Sequence, residues 1–205
     1  MDGKEKLVFD DNGIYIEGPN QRKNAIIHDG ERNLMRLLAS IATKNGGDIL
    51  EIGFGLHMSA DKVQETTSVT SHTIIEVHPD IYKRAIEWSK TKNNVEIILG
   101  NWVDIIPKLN KKFDGIIHDT HIDNKIDKFL DICKDICKEE CIVAFFYYYG
   151  KEIFKMNKVT YKCIVKDESS MPYLLCDKSG KYELLYCVYS NGEFMNKNIY
   201  EKNQI

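Results

Sequence analysis

Residues 48–55 read DILEIGFG, and this stretch decides the fold. A short apolar run, broken only by Glu51, meets Gly53 and Gly55, and a helical pattern follows at about residues 58–65. A strand that passes through a glycine loop into a helix is typical of parallel α/β sheets. Because such sheets bind ligands beyond the carboxyl ends of their strands, the loop is predicted to lie at a ligand site.

Strand and helix patterns alternate on both sides of this loop. After a helix at 31–43, the sequence predicts strands at 71–76, 95–99, 113–119 and 141–148, separated by helices at 80–90, 103–109 and 124–138. This alternation predicts a doubly wound α/β fold with a mostly parallel sheet. Beyond Gly150 the pattern changes to strands at 159–165, 173–176 and 182–189, which are expected to form an antiparallel C-terminal edge.

The chain is accordingly interpreted as one domain with three parts. Residues 1–30 form a polar N-terminal arm, in which only residues 14–16 are expected to make a short strand. Residues 31–150 form the cofactor-binding core, and residues 151–205 form the antiparallel edge.

Composition excludes several classes of protein. The net charge of −3 over 205 residues gives no basis for broad binding to nucleic acid or anionic membranes. No secretory signal or long apolar run is seen, so a reduced, cytoplasmic setting is expected. Of the six cysteines, none forms a C-x-x-C pair, and Cys133, Cys137 and Cys141 are expected to be small buried residues. No metal is predicted.

The glycine loop and the following strand indicate a nucleoside cofactor without a pyrophosphate. Met58 stands where the dinucleotide fingerprint has its third glycine, which weakens a pyrophosphate site. Glu76 ends the second strand, where a carboxylate can accept hydrogen bonds from both ribose hydroxyls. Together these features favour S-adenosylmethionine. The alternative is a tight turn at the glycines and a solvated carboxylate at Glu76.

Further candidate cofactor and substrate residues lie at the ends of the predicted strands. Phe54 and Val77 belong to the first two loops. Asn101 can bond an adenine edge that Trp102 covers, although Trp102 equally suits core packing. The fourth strand ends in His118-Asp119-Thr120-His121, where Asp119 is expected to face the transferred methyl group or, alternatively, to cap the next helix.

Four stretches resemble guanidinoacetate N-methyltransferase and its relatives among arginine-modifying methyltransferases. They are GGDILEIGFG at 46–55, KVQE at 62–65, IIE at 74–76 and FDGIIHDT at 113–120, within a similarity that spans about residues 25–150. The resemblance implies a seven-stranded Rossmann-like methyltransferase fold, S-adenosylmethionine as cofactor and S-adenosylhomocysteine as product. It also implies a guanidino group as methyl acceptor.

The resemblance further implies roles for individual residues. Asp119 would pair with the guanidino group, and Glu31 would supply a second substrate carboxylate, unless it only caps the adjacent helix. The cofactor would be held at its methionine end by Glu51, Gly53 and Gly55, at its ribose by Glu76, and at its adenine by Asn101 and Trp102.

Departures from the family pattern leave the acceptor open. His118 replaces an aromatic residue, His121 follows the threonine, Gly30 replaces a tryptophan, and the region beyond Gly150 does not match. The first hypothesis is methylation of a guanidino group. Asp119 and Glu31 are then the catalytic residues, which bind the planar guanidino group and accept its proton.

Three alternatives accompany this hypothesis. His118 or His121 can act as a substrate-binding base toward a hydroxyl or heteroaromatic nitrogen acceptor. His118, His121 and Asp123 can instead bind a metal in a hydrolase. The chain can also be a non-catalytic cofactor-binding subunit that needs a partner.

Overall fold

The computed structural model describes residues 5–17, 23–120, 126–146, 161–165, 182–190 and 193–195. Its strands are β1 (Leu7–Asp10), β2 (Gly13–Glu17), β3 (Lys23–His28), β4 (Gly47–Ile52), β5 (Val69–Glu76), β6 (Val95–Leu99), β7 (Phe113–His118), β8 (Cys137–Phe146), β9 (Tyr161–Val165), β10 (Tyr182–Ser190) and β11 (Glu193–Met195). Its α-helices are α1 (Arg32–Ala42), α2 (Met58–Glu65), α3 (Pro79–Ser89), α4 (Trp102–Ile105) and α5 (Ile126–Cys133).

The main sheet has the strand order β11-β10-β8-β7-β4-β5-β6, and β9 also pairs with β10. The five strands from β8 to β6 run parallel, whereas β10 pairs antiparallel with β8, β9 and β11. The predicted parallel sheet with an antiparallel C-terminal edge is therefore confirmed. The seven strands that the resemblance implies are not confirmed, because within the described residues the sheet contains eight strands, among them the unpredicted strand Glu193–Met195. The predicted strand at 173–176 lies outside the described residues.

Helices cover both faces of the parallel sheet. On one face, Ile49 and Ile74 pack with side chains of α1, α2 and α3. On the other, Leu50 and Ile75 pack with residues of the α4 and α5 region such as Phe129. Because β4 lies between β5 and β7, the strand order reverses at β4, so the glycine loop stands at the topological switch point.

The cysteine prediction is confirmed. The apolar core on the α4 and α5 face of the sheet contains three buried free thiols, Cys133, Cys137 and Cys141. They do not share one helix, because α5 ends at Cys133 and β8 already begins at Cys137. Within the described part of the chain, no helix is long and apolar enough to cross a membrane.

The N-terminal arm differs from its prediction as a polar segment with one short strand. Strands β1, β2 and β3 form a separate three-stranded antiparallel sheet. Asp10 closes the first turn, since its carboxylate accepts from the amides of Asn12 and Gly13. Ile14 and Ile27 are buried in the same core as α1 and α2. The sheet is therefore held by tertiary contacts that its local sequence does not reveal.

Candidate active site

The glycine loop after β4 touches the end of β7. Gly53 has φ +91°, and a Cβ atom there would lie 2.3 Å from the carbonyl oxygen of Asp119. The amide of Asp119 in turn donates to the carbonyl of Ile52 at 3.1 Å. Only glycine combines this backbone conformation with this approach. The loop predicted to receive the cofactor and the carboxylate predicted to face the methyl group are therefore adjacent.

The N-terminal sheet reaches the same loop. Gly55 has φ +50°, and a Cβ atom there would lie 3.1 Å from Cδ1 of Ile27 in β3. His78, which caps α3 by accepting from the amide of Asp80, has its Nε2 2.8 Å from the carbonyl of Glu5. The arm thus packs beside the carboxyl ends of β4 and β5.

Glu76 ends β5 next to the glycine loop, as predicted. Its side chain is 3% exposed and accepts from the amide of Phe54 at 2.9 Å and from that of His78 at 2.8 Å. Burial raises the pKa of Glu76, while these amide hydrogen bonds oppose the rise. Val77 follows directly and is half-buried. The ring of Phe54 is buried edge-to-face against Trp88, so only its backbone lies on the loop.

Glu51 lies below the loop and is fully buried. His72 Nε2 is 2.8 Å from its Oε2, and the Ser59 hydroxyl donates to its Oε1. Both oxygens therefore have protein partners. Glu51 can act on a ligand in the cleft through its charge and through the position of the loop.

Glu31 lies in a 3-10 turn, Asp29–Glu31, just before α1. Its Oε1 accepts from the amide of His28 at 3.0 Å, and His28 Nδ1 accepts from the amide of Gly30. Glu31 therefore closes a capping box on the 3-10 turn, but as N-cap of α1 it makes no side-chain hydrogen bond to that helix. Among the described residues, no hydrogen bond reaches the second oxygen, so capping leaves it available for a substrate.

The pKa values of Glu31 and Asp119 are both raised, and the charge of Glu31 contributes to the rise at Asp119. Burial raises the pKa of Glu31 to about 7. Burial first, and then the charges of Glu31 and Glu51, raise the pKa of Asp119 to about 7. No lysine or arginine among the described residues pairs with either carboxylate. Carboxylates in this situation favour a cationic ligand, which suits a sulfonium, an ammonium or a guanidinium.

The adenine-side candidates occupy the start of α4. Asn101 is exposed and caps this helix, since its side-chain oxygen accepts from the amide of Val103 at 3.1 Å. Trp102 is half-buried, with its ring edge-to-face against His118 at 5.7 Å and Phe129 at 5.4 Å. Trp102 thus packs against the apolar core on the α4 and α5 face of the sheet, and part of its surface stays exposed.

His118 is enclosed by aromatic rings rather than directed into an open cleft. Its ring centroid lies 4.2 Å from that of Phe129, and its Nε2 is 3.4 Å from the Thr120 hydroxyl. Burial lowers the pKa of His118 to about 4, so the imidazole is neutral at pH 7. This arrangement gives no support to His118 as a base or substrate contact. His121 and Asp123 lie outside the described residues.

Metal binding finds no support in the described residues either. They contain no group of three or more His, Cys, Asp or Glu side chains that could hold an ion. The sequence reasoning missed His72 and Ser59 around Glu51, and His78 beside Glu76. His72 could have been found from strand pairing, because it falls on the same sheet face as Glu51.

Comparison with known proteins agrees with this geometry. The profile of the family described as guanidinoacetate N-methyltransferase matches residues 22–131, more than half of the chain. Protein arginine N-methyltransferase 2 of Candida glabrata is 34% identical over 125 residues, covering 56% of this chain and 29% of the relative. Its counterpart from Saccharomyces cerevisiae is 30% identical over 127 residues, covering 57% and 30%. The chain therefore spans less than a third of these relatives.

Solved structures share the fold at low identity. Spermidine synthase from Thermotoga maritima has a TM-score of 0.62 at 16% identity, covering 89% of this chain and 72% of that chain. The O-methyltransferase TomG from Streptomyces achromogenes, in complex with S-adenosylmethionine, has a TM-score of 0.58 at 14% identity, covering 80% and 81%. These findings confirm the predicted Rossmann-like methyltransferase fold and cofactor. The chain belongs to the guanidinoacetate N-methyltransferase family of S-adenosylmethionine-dependent methyltransferases.

Proposed function

We propose that this protein transfers a methyl group from S-adenosylmethionine to a nitrogen of a guanidino group, in a small molecule or in arginine. One observation carries the proposal. Asp119 and Glu31 lie close enough for the charge of Glu31 to raise the pKa of Asp119, and neither has a cationic partner among the described residues. A guanidinium supplies the missing charge and a planar fork that carboxylates bind well.

The residues around the glycine loop suit the cofactor. S-adenosylmethionine, when bound, supplies an electrophilic methyl group on a positively charged sulfur. Gly53 and Gly55 leave the backbone open to the methionine end, and Glu51 places a negative charge beneath it. Glu76 is held at the end of β5 for the ribose, and Asn101 and Trp102 stand at the start of α4 for the adenine.

The two carboxylates can both orient the acceptor and free its lone pair. Asp119 and Glu31 hold the guanidinium, and one of them takes the proton from the reacting nitrogen. A carboxylate whose pKa is near 7 is a suitable base at neutral pH. S-adenosylmethionine, held at the glycine loop and Glu76, would supply the methyl carbon to that nitrogen, with its sulfur as the leaving group. The methylated product is again a guanidinium cation that both carboxylates can hold.

We also propose that residues 1–205 act as one methyltransferase domain. The contact of Ile27 with Gly55 supports a role of the arm, residues 1–30, at the cofactor loop of the core, residues 31–150. The strand pairing of β10 with β8 supports residues 151–205 as an edge of the same sheet. A cytoplasmic location stays a prediction.

Calorimetric titration tests the function directly. The protein is titrated with S-adenosylhomocysteine alone, and then in the presence of guanidinoacetate, free arginine or an arginine-containing peptide. We expect binding that one guanidino compound strengthens, and that compound identifies the acceptor class. Binding that none of them alters would contradict the guanidino acceptor, and absence of binding would contradict the function as a whole.

A further inference from the structure

A buried polar cluster below the glycine loop surrounds the Glu51 carboxylate, and its other members take no part in the mechanism above. Glu51 and His72 have no exposed side-chain surface, and Glu51 Oε2 lies 2.8 Å from His72 Nε2. The Ser59 hydroxyl donates to Glu51 Oε1, and Gln64 Nε2 lies 3.4 Å from His72 Nδ1. These four residues are called the Glu51 cluster.

The Glu51 cluster joins three elements around one carboxylate. Parallel pairing of β4 with β5 brings His72 to the sheet face that carries Glu51. Helix α2 supplies Ser59 and Gln64 from above, and Trp88 of α3 packs edge-on against His72 at 6.4 Å. The cluster therefore fixes the carboxylate relative to the helix that follows the glycine loop.

The hydrogen bonds hold Glu51 in one orientation. When His72 carries its proton on Nε2, it donates to Glu51 and its Nδ1 accepts from Gln64. Among the described residues, every buried side-chain nitrogen and oxygen has a hydrogen-bond partner. A buried carboxylate that loses a donor must turn toward another partner or take up a proton. Either change would alter the environment of Gly53, which lies two residues after Glu51 in the chain.

The cluster also reaches the cleft electrostatically. The charge of Glu51 contributes to the raised pKa of Asp119, so Glu51 lies near enough to act on the reacting groups. A cofactor with a cationic ammonium and a cationic sulfur gains from that charge only while the Glu51 carboxylate is held in place.

We propose that His72 is a positioning residue that holds the Glu51 carboxylate, and with it the Gly53–Gly55 loop, in the arrangement that receives the amino-acid end of the cofactor. His72 acts on the cofactor only through Glu51, so the proposal rests on the proposed function. It assigns His72 no contact with the acceptor or with the transferred methyl group.

Two substitutions of His72 distinguish the loss of its hydrogen bond to Glu51 from the loss of its bulky ring. In His72→Gln the amide nitrogen can replace Nε2 and keep the bond to Glu51. In His72→Asn the shorter amide replaces only Nδ1, so the contact with Gln64 is kept and the bond to Glu51 is lost. Both variants are first checked for native fold by circular dichroism and thermal unfolding.

The readouts are the dissociation constant for S-adenosylhomocysteine and the separate values of kcat and KM. We expect His72→Asn to raise the dissociation constant and the KM for S-adenosylmethionine about tenfold, as for loss of a hydrogen bond to a charged group. At saturating cofactor, kcat should stay within about threefold, because the acceptor contacts are unchanged. His72→Gln should bind within about threefold of the unaltered protein.

Two results would overturn the role of His72. They are unchanged binding in a folded His72→Asn variant, or equal weakening in both variants, which would trace the effect to ring packing. If His72→Asn does not fold, His72→Gln decides alone, and a tenfold weakening of binding in that folded variant, which keeps the bond to Glu51, would overturn the role. Absence of binding by the unaltered protein would instead refute the proposed function, so the two failures are distinguishable.

Discussion

The two ends of the parallel sheet use carboxylates in opposite ways. At the amino ends of the strands, Lys138 Nζ lies 2.7 Å from both Asp48 and Asp114, and Lys111 lies 3.5 Å from Asp48. Burial opposes ionisation of Asp48, but hydrogen bonds from Lys138 and Ser71 outweigh it and lower its pKa to about 2. At the carboxyl ends, burial raises the pKa of Glu31 to about 7, and burial together with the charges of Glu31 and Glu51 raises the pKa of Asp119 to about 7.

The difference between Asp48 and Asp119 is the one expected between a carboxylate that supports the fold and one that is proposed to bind a ligand. A carboxylate with its own lysine stabilises the folded chain when it ionises. A buried carboxylate without a cation costs stability when it ionises, and the cost is recovered only when a cationic ligand binds. The pairing of each carboxylate therefore separates the supporting end of the sheet from the functional end.

The largest effect is expected from neutralising the functional end. Asp119→Asn should lower kcat about a thousandfold, because it removes both a partner of the guanidinium and a base. Binding of S-adenosylhomocysteine should stay within about threefold, since Asp119 is proposed to face the acceptor. Steady-state kinetics and calorimetry measure the two effects. Glu65→Gln neutralises an exposed carboxylate paired with Arg36 and serves as the control, with unaltered turnover. Retained turnover in Asp119→Asn would refute the assignment.

The pH dependence of catalysis is expected to be the next largest effect. If Asp119 and Glu31 hold the guanidinium as proposed, both must be ionised, so kcat/KM should rise by up to about a hundredfold per pH unit well below pH 7 and level off above it. Glu51→Gln removes one charge that repels the ionised Asp119, so it should move the rise to lower pH at saturating cofactor. A profile that is flat between pH 6 and pH 8 would contradict both expectations.

The smallest expected effect is on stability. It is tested with the same substitution, Asp to Asn, at each end of the sheet. In the ligand-free protein at pH 8, Asp119→Asn should raise the free energy of unfolding by about 1–3 kcal/mol, because the raised folded-state pKa makes ionisation costly above pH 4. Asp48→Asn should lower it by roughly 1–2 kcal/mol, since solvent screens the partly exposed lysines.

Urea unfolding across a pH series measures both changes. The gain from Asp119→Asn should shrink as pH falls from 7 and vanish below about pH 4, where Asp119 is protonated in the folded and unfolded chain alike. The loss from Asp48→Asn should persist to lower pH and fade between about 4 and 2. Changes of the same sign at pH 8 would remove the distinction between the two ends.

The parallel part of the fold was predictable because its signals are local. The apolar run at 95–99 gives β6 with the predicted limits, and residues 80–90 give α3 to within one residue. The N-terminal sheet was not predictable, because Ile14 and Ile27 are stabilised by burial against α1 and α2 rather than by their neighbours in sequence. The helix predicted at 124–138 ends early, since Cys137 pairs with Phe113 in the sheet.

The candidate site was predictable where strand ends define it and less so where packing does. Glu76 and Asp119 lie at the ends of β5 and β7 as expected. The sequence allows His118 a chemical role because it does not show the rings of Trp102 and Phe129 around it. The sequence predicts His72 only as part of a strand, because its partner Glu51 is on the neighbouring strand.

The close approach of Gly53 to the carbonyl of Asp119 has a consequence for cooperativity. The two loops touch through backbone atoms, and the amide of Asp119 is bonded to Ile52, so neither loop can shift without the other. A ligand that orders one loop therefore lowers the entropy that the second ligand must give up. By thermodynamic reciprocity, the factor by which an acceptor tightens the cofactor equals the factor by which the cofactor tightens the acceptor.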